Sequence, residues 1–266
     1  MPENSFSSLH NLSLAGLGIQ APGQTTVFIQ SLLQTADRIF YLLADPIAEQ
    51  WLISEFPDSI SLQPHYHNHP ARQDAYLSMI EQIMAALRQQ HIVVVVLYGH
   101  PGVFASMPHW LTRQARQESF SVKMYPGISA EDCLIADLGL DPGAKGIMHL
   151  EATQFLFYQQ TISVHSPLVL WQVGVTGDIT GTQFATGQQE RAALVQKLRR
   201  YYPPNHQVIL YEAATLALYE PRIEQLFLDG LVTAAMSQIT TLVIPALSEP
   251  AWDNEICALL GKETFT

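Results

Sequence analysis

Apolar residues along this chain fall into two kinds of run. Short unbroken runs, of which Val93-Val94-Val95-Val96-Leu97 is the clearest, suit strands covered on both faces, as in a parallel sheet. Between them lie longer stretches whose apolar positions recur every three or four residues, the spacing of one helix face. In the first half the strand-like runs fall near 12–17, 38–43, 59–63, 92–98 and 121–125, with helical spacing near 24–36, 46–55, 71–90 and 107–118. That alternation predicts a mostly parallel sheet with right-handed crossovers. The second half is less regular. Strands are expected at 147–151, 167–173, 207–212, 222–228 and 240–245, and helices near 129–138 and 189–201, the latter ending before Pro203-Pro204. Short links between several of these strands predict more antiparallel pairing. The expected organisation is an N-terminal α/β domain over 11–126, a C-terminal α/β domain over 127–250 joined to it at Pro126-Gly127, and a closing helix and tail over 251–266.

Composition narrows the class. The chain has 266 residues, 48% hydrophobic and 14% charged, which suits a globular protein with a sizeable core. Its formal charge is −11, from 13 Lys plus Arg against 24 Asp plus Glu, so a phosphate backbone is an unfavourable partner and no nucleic acid is expected. No apolar stretch reaches membrane-spanning length, and residues 1–11 lack the basic start of a signal peptide. Cys133 and Cys257 read as reduced thiols of a cytoplasmic protein.

Chemistry concentrates where strands end. The Val93 run passes straight into Tyr98-Gly99-His100-Pro101-Gly102-Val103-Phe104. Its glycines and proline end the strand and leave a turn that a ligand can approach closely. Small molecules bind at such carboxyl ends in open α/β sheets. Two further stretches share this character: Leu14-Ala15-Gly16-Leu17-Gly18 with Pro22-Gly23-Gln24-Thr25, and Met124-Tyr125-Pro126-Gly127-Ile128-Ser129-Ala130-Glu131-Asp132-Cys133. The third glycine of a Rossmann fingerprint is misplaced, so a dinucleotide site is not indicated.

Together these stretches resemble the tetrapyrrole-methylase superfamily. Within it, YGHPGVF, PGISAEDC, RQDAY and LEATQFL resemble the borosin α-N-methyltransferases, over roughly residues 12–250. The resemblance implies two α/β domains with an S-adenosylmethionine cleft between them, and methylation of peptide backbone amides. Where the commoner superfamily pattern has proline-glycine-aspartate, this chain has Pro22-Gly23-Gln24, as the borosin-like branch does. The missing carboxylate weighs against a porphyrinoid substrate.

S-adenosylmethionine needs a concave, largely apolar pocket with a few placed polar groups. By the resemblance, Tyr98, His100, Val103 and Phe104 line it, and Ser129 and Ala130 contact the cofactor. A serine in that position also serves as an ordinary helix N-cap. By the same analogy Gln172, Tyr211, Ala213, Thr241 and Leu242 belong to the cofactor site, each being alternatively a strand-end residue satisfied by its neighbours.

Amide methylation is difficult because the nitrogen lone pair is delocalised into the carbonyl. A catalyst should remove the N–H proton and stabilise charge on the carbonyl oxygen. Arg72 and Tyr76 stand four apart at a helix start, hence on one face, with Tyr66 in a loop just before. Arg72 is assigned to the developing oxygen charge, and Tyr66 and Tyr76 are candidates for base and proton relay, roles the matching borosin residues carry. A phenol serves as base only with a lowered pKa, the direction in which a nearby Arg acts. His65, His67 and His69 alternate and could face one way on an extended chain, but borosin-like enzymes use no metal and none is expected.

Fungal borosins carry the substrate fused to the enzyme's carboxyl end. This chain stops at Thr266, soon after its last predicted helix. The expectation is therefore the split bacterial type, a homodimer acting on a separate precursor peptide. The competing readings are a corrin-precursor methyltransferase and a non-catalytic S-adenosylmethionine- or peptide-binding protein.

Overall fold

The computed structural model describes residues 10–43, 45–69, 71–179 and 185–262. They fall into two compact units. One is drawn from the chain up to Leu140 with Glu212–Arg222 added, the other from Asp141–Gly177, the stretch ending at Tyr211, and the chain from Ile223 on.

The first unit runs β1 (Leu12–Gly16), α1 (Val27–Gln34), β2 (Arg38–Leu42), α2 (Pro46–Glu55), β3 (Ile60–Ser61), α3 (Pro64–Asn68), α4 (Arg72–Arg88), β4 (Val93–Leu97), α5 (Ser106–Gln117), β5 (Val122–Tyr125) and α6 (Ala130–Leu138). Its strands form a parallel sheet in the order β3-β2-β4-β1-β5. β4 lies at the centre, and its unbroken apolar run follows from burial on both faces. Val93, Val95 and Leu97 pack with Met79, Ile83 and Leu87 of α4 and Leu111 of α5. Val94 and Val96 pack with Ile29 and Leu33 of α1 and Leu52 of α2. Each such side chain contributes about 1.5–3 kcal/mol relative to exposure, which explains why no polar residue interrupts the run.

The same sheet brings three glycines together. β1 ends at Gly16, Gly99 follows β4 and Gly127 follows β5. A Cβ on Gly16 or on Gly127 would sit 2.3 Å from the Gly99 carbonyl oxygen. Gly18 and Gly99 form an antiparallel bridge, with N–H···O distances of 3.3 and 2.8 Å, and their φ angles of 82° and 63° demand glycine.

The second unit holds α7 (Pro142–Lys145), β6 (Met148–Glu151), α8 (Ala152–Phe157), β7 (Leu168–Trp171), α9 (Gln188–Leu198), β8 (Gln207–Glu212), β9 (Arg222–Phe227), β10 (Thr241–Ile244) and α10 (Asn254–Leu259). Its sheet is mixed, β6-β7-β10-β8-β9. β6 runs parallel to β7, and β10 antiparallel to both β7 and β8; antiparallel pairing is present as expected, but between strands far apart in sequence rather than across short links. Leu168, Leu170, Leu210, Leu242 and Ile244 pack against Phe155, Leu194 and Leu198. The ammonium of Lys197, 9% exposed, donates to the carbonyls of Phe155, Leu156 and Tyr158 at the end of α8. It thus caps a helix C-terminus, where a cation is favoured.

Four expectations need correction. The break expected at Pro126-Gly127 falls instead after Leu140, because Gly127 is wedged against Gly16 and Gly99 and Leu134 of α6 is fully buried. The stretch 64–68, read as a loop, is the short helix α3. Residues 152–157, where no helix was expected, form α8, whose N-cap Glu151 accepts from the Thr153 and Gln154 N–H groups. The closing helix is shorter than 251–261 and buries no residue.

Replacing Gly127 by alanine should destabilise the first unit by about 3 kcal/mol, since a methyl group forced into a packed backbone has nowhere to move. Gly23→Ala is the control, because its Cβ would meet only an ordinary 3.4 Å contact. Denaturant unfolding of both variants measures this, and equal stabilities would refute the close approach.

Candidate active site

The turn after β4 is held by two histidines. His100 Nδ1 accepts from the Gly102 N–H at 2.9 Å, and His109 Nε2 lies 3.1 Å from the Gly102 carbonyl. A carbonyl only accepts and Nδ1 of His100 is occupied by a donor, so both rings carry a proton on Nε2. Val103 N–H closes the turn on the His100 carbonyl at 3.2 Å. His109 was not singled out from sequence, because nothing in its helical spacing marks it as a turn clamp. At either end of the turn an aromatic ring stays open to solvent, Tyr98 at 50% and Phe104 at 43% exposure.

Backbone strain marks the same places. Four described non-glycine residues have positive φ: Gln90, Phe104, Ser119 and Gln172. Gln90 and Ser119 follow the C-caps of α4 and α5, where a left-handed residue is the ordinary helix stop. Phe104 (φ 50°) and Gln172 (φ 58°) end no helix. Each lies just beyond a central strand, β4 or β7, and each is among the residues assigned to the cofactor by resemblance. Strain of this kind costs about 1–3 kcal/mol and collects at ligand sites.

Ser129 begins α6 with a complete capping box. Its Oγ accepts from the Asp132 N–H at 3.2 Å, and Asp132 Oδ2 accepts from the Ser129 N–H at 2.7 Å. The cap therefore occupies the Ser129 side chain, which also bonds Asp132 Oδ2. Ala130 is the first residue of α6. Ala213 lies in the Glu212–Arg222 segment of the first unit, where Gln20 Nε2 donates to the neighbouring Ala214 carbonyl at 3.1 Å. In the second unit Tyr211 pairs with Thr241 and Leu242 with Leu170. The Val173 N–H donates to the Thr240 carbonyl. Gln172, Tyr211 and Thr241 thus share one end of that sheet. Leu242 is fully buried in the core, which leaves only its main chain for a ligand.

Gln24 replaces the expected carboxylate, and its first duty is local. Its Oε1 accepts from Ile19 and Gln20 N–H at 2.8 and 3.0 Å, tying down the first glycine loop. With Asp132, Cys133, Asp137, Ala214 and Tyr219 it also lines a depression of about 550 Å³ in the first unit.

The acceptor-site residues come together. The Tyr66 ring meets Tyr76 edge-on at 6.1 Å, and Tyr76 meets Trp110 of α5 in the same way at 5.9 Å. The charges of Arg72, Tyr76 and Tyr98 all act on Tyr66. Arg72 and Tyr76 act likewise on Tyr98. Arg72, Tyr66, Tyr76 and the first residue of the glycine turn therefore form one cluster. Trp110, which backs Tyr76, carried no sequence signal beyond its place on an amphipathic helix.

The electrostatics correct one expectation. Tyr66 is pushed well above an ordinary phenol, first by burial, then by the charge of Tyr76, while Arg72 pulls the other way and loses. Tyr98 is also raised, chiefly by burial. Tyr76 raises it further and Arg72 acts the other way. Tyr66 consequently holds its proton at neutral pH.

The three histidines do not converge. His65 and His67 lie on α3, where two residues mean about 200° of rotation. His65 has both ring nitrogens engaged by α4, Nδ1 with Ser78 Oγ at 2.9 Å and Nε2 with Gln82 Oε1 at 2.6 Å. Among the described residues no group of three or more His, Cys, Asp or Glu could hold a metal, and no helix is long and apolar enough to cross a membrane.

A two-unit α/β architecture with ligand-type turns at the strand ends defines the class, and comparison with known proteins places the chain within it. Residues 11–226 match the Tetrapyrrole (Corrin/Porphyrin) Methylases, and the chain belongs to that family. A methyltransferase/ribosomally synthesized cyclic peptide gymnopeptides precursor of Gymnopus fusipes is 34% identical over 259 residues, 95% of this chain and 62% of that protein. A methyltransferase/ribosomally synthesized type III borosin cyclic peptide precursor of Anomoporia bombycina is 36% identical over 256 residues, 94% of this chain and 30% of that protein. The chain thus spans less than two thirds of the length of these relatives. A uroporphyrin-III-C-methyltransferase from Thermus thermophilus shares the fold at a TM-score of 0.62 and 16% identity, over 90% of this chain and 93% of that one.

The raised Tyr66 pKa fixes a pH dependence. Above about pH 10 the unfolded chain releases this proton while the folded chain keeps it. The unfolded state then binds fewer protons, so stability falls as pH rises. Tyr66→Phe should lose less stability than the parent between pH 9 and 11 in urea melts, whereas parallel losses would place the Tyr66 hydroxyl in solvent.

Proposed function

We propose that this chain transfers methyl groups from S-adenosylmethionine to backbone amide nitrogens of a peptide supplied as a separate molecule, as in borosin maturation. The observation that carries the reading is the cluster of Arg72, Tyr66, Tyr76 and Tyr98 at the end of β4, in a chain whose relatives are named as methyltransferases joined to peptide precursors. A cation placed among phenols beside a ligand turn suits charge development in a reaction and serves a passive binder poorly.

The residues present fit the cofactor. Glycines at 16, 99 and 127 keep side chains out of the floor of the turn, and Tyr98, Val103 and Phe104 offer apolar surface above it. In the reading advanced here the first unit contacts the cofactor through Tyr98, His100, Val103, Phe104, Ser129, Ala130 and Ala213. Ser129 contributes its place at the helix start, because its hydroxyl is committed to the cap. The borosin likeness adds Gln172, Tyr211, Thr241 and the main chain of Leu242 as proposed cofactor residues. Bound there, S-adenosylmethionine supplies an electrophilic methyl on a sulfonium.

On the acceptor side, Arg72 faces the peptide carbonyl oxygen and favours the imidate-like form, which returns the lone pair to nitrogen. Bound S-adenosylmethionine would supply the methyl to that nitrogen and leave as S-adenosylhomocysteine, and the amide proton would depart along the Tyr76–Tyr66 pair to water. Because Tyr66 is held neutral, it serves as a relay rather than a resting base. The chain is further proposed to act as a homodimer, which light scattering at assay concentration tests.

The decisive assay incubates the protein with S-adenosylmethionine and an added peptide rich in apolar residues, then locates new methyl groups by fragmentation mass spectrometry. Methyl groups on backbone nitrogens of the added peptide are expected. Arg72→Ala should lower turnover by about 10² or more, the usual cost of losing an oxyanion partner, while leaving cofactor affinity unchanged. Near-normal turnover of Arg72→Ala, or methylation confined to side chains, would remove the proposed chemistry.

A further inference from the structure

We propose that His65 is a positioning residue, pinning α3 to α4 and so fixing the Tyr66 hydroxyl relative to Tyr76 and Arg72. The inference rests on the acceptor-site reading above and adds the element that assembles the site.

Helix α3 cannot hold itself in place. It spans Pro64–Asn68, has no fully buried residue, only the partly buried Tyr66 ring against the core, and no side-chain N-cap bond, and a helix of one turn is far below the length that is stable alone. Tyr66 is its middle residue. Gln63 Nε2 holds its start by donating to the Leu43 carbonyl at 2.6 Å, and the side chain that ties its body to α4 by hydrogen bonds is the one immediately before Tyr66. Ser78 and Gln82, four apart and hence on one face of α4, grip the two ring nitrogens of His65 at 2.9 and 2.6 Å. With Gln82 Oε1 able only to accept, Nε2 carries the proton and Nδ1 accepts from the Ser78 hydroxyl. Both bonds point in fixed directions, so the imidazole sets the rotation of α3 as well as its distance. That rotation decides whether the Tyr66 ring meets Tyr76 edge-on at 6.1 Å or swings into solvent. The anchors at 78 and 82 continue the helix that begins with Arg72 and Tyr76, so the clamp and the acceptor residues share one rigid element.

Misplacing a reacting group by about 1 Å can cost as much as 10²-fold in rate. His65→Ala should therefore reduce kcat by about 10- to 100-fold, with the KM for S-adenosylmethionine unchanged. His65→Gln, whose amide N–H can still donate to Gln82, should recover most of the loss. If His65 acts through Tyr66, then in a Tyr66→Phe background the further change His65→Ala should cost less than about threefold. Equal losses in both backgrounds, or undiminished kcat in His65→Ala, would overturn the proposal.

A second readout needs no turnover. Spectrophotometric titration of the ten tyrosines in the intact protein should show one more phenol ionising near pH 10 in His65→Ala than in the parent. That extra step should be missing from the His65→Ala, Tyr66→Phe double variant. An unchanged titration in His65→Ala refutes the positioning role even if the enzyme methylates peptides. The extra step in a protein that methylates none would sink the reaction and keep the clamp.

Discussion

The contact on which the first unit depends is between three stretches of main chain with no side chains between them. Gly16, Gly99 and Gly127 each follow a strand of the same parallel sheet, and any Cβ at 16 or 127 would collide with the Gly99 carbonyl. This closeness lets the ends of β1, β4 and β5 turn away together. It also leaves the floor of the Tyr98–Phe104 turn bare. The buried valine run of β4 fixes where that floor lies, and the clamps from His100 and His109 fix the shape of the turn above it.

On this frame the acceptor cluster is an exercise in desolvation. Four groups that would be ordinary at a surface are gathered at the end of a buried sheet, and burial outweighs the cation in setting Tyr66. The sequence could suggest that an arginine lowers a neighbouring phenol, because pairwise attraction depends only on which residues are near. It could not show that the ring would be buried far enough to reverse the sign. The guanidinium is thus better understood as aimed at a charge that develops on the substrate than at a resting phenolate.

Most of the architecture was legible in the chain. Strands with unbroken valines or leucines, such as β4 and β7, and helices with steady apolar spacing, such as α4, stand close to where the pattern puts them, because burial on two faces or on one stripe leaves a direct mark. Short elements held by individual contacts left none. Helix α3 has no fully buried residue, only the partly buried Tyr66, and reads as a polar loop, and α8 depends on the caps of Glu151 and Lys197, of which the latter is some forty residues away in sequence. The division after Leu140 was hidden for the same reason: Pro126-Gly127 has the composition of a linker, yet Gly127 is chosen for contact. Of the acceptor site, Arg72, Tyr66 and Tyr76 were found through resemblance and helical spacing. Trp110 and His65 support them, and His109 holds the neighbouring glycine turn, through geometry that no local pattern encodes.

The central claim is that the glycine turn and the Arg72–Tyr66–Tyr76 cluster serve one reaction. A crystal structure of the protein with S-adenosylhomocysteine and an apolar peptide tests it most directly. The account predicts the cofactor's sulfur against the Gly99–Phe104 turn and a peptide amide lying between it and the Arg72 guanidinium. Cofactor bound away from that turn, or Arg72 directed into solvent with no peptide beside it, would contradict the account and leave only the family and the fold.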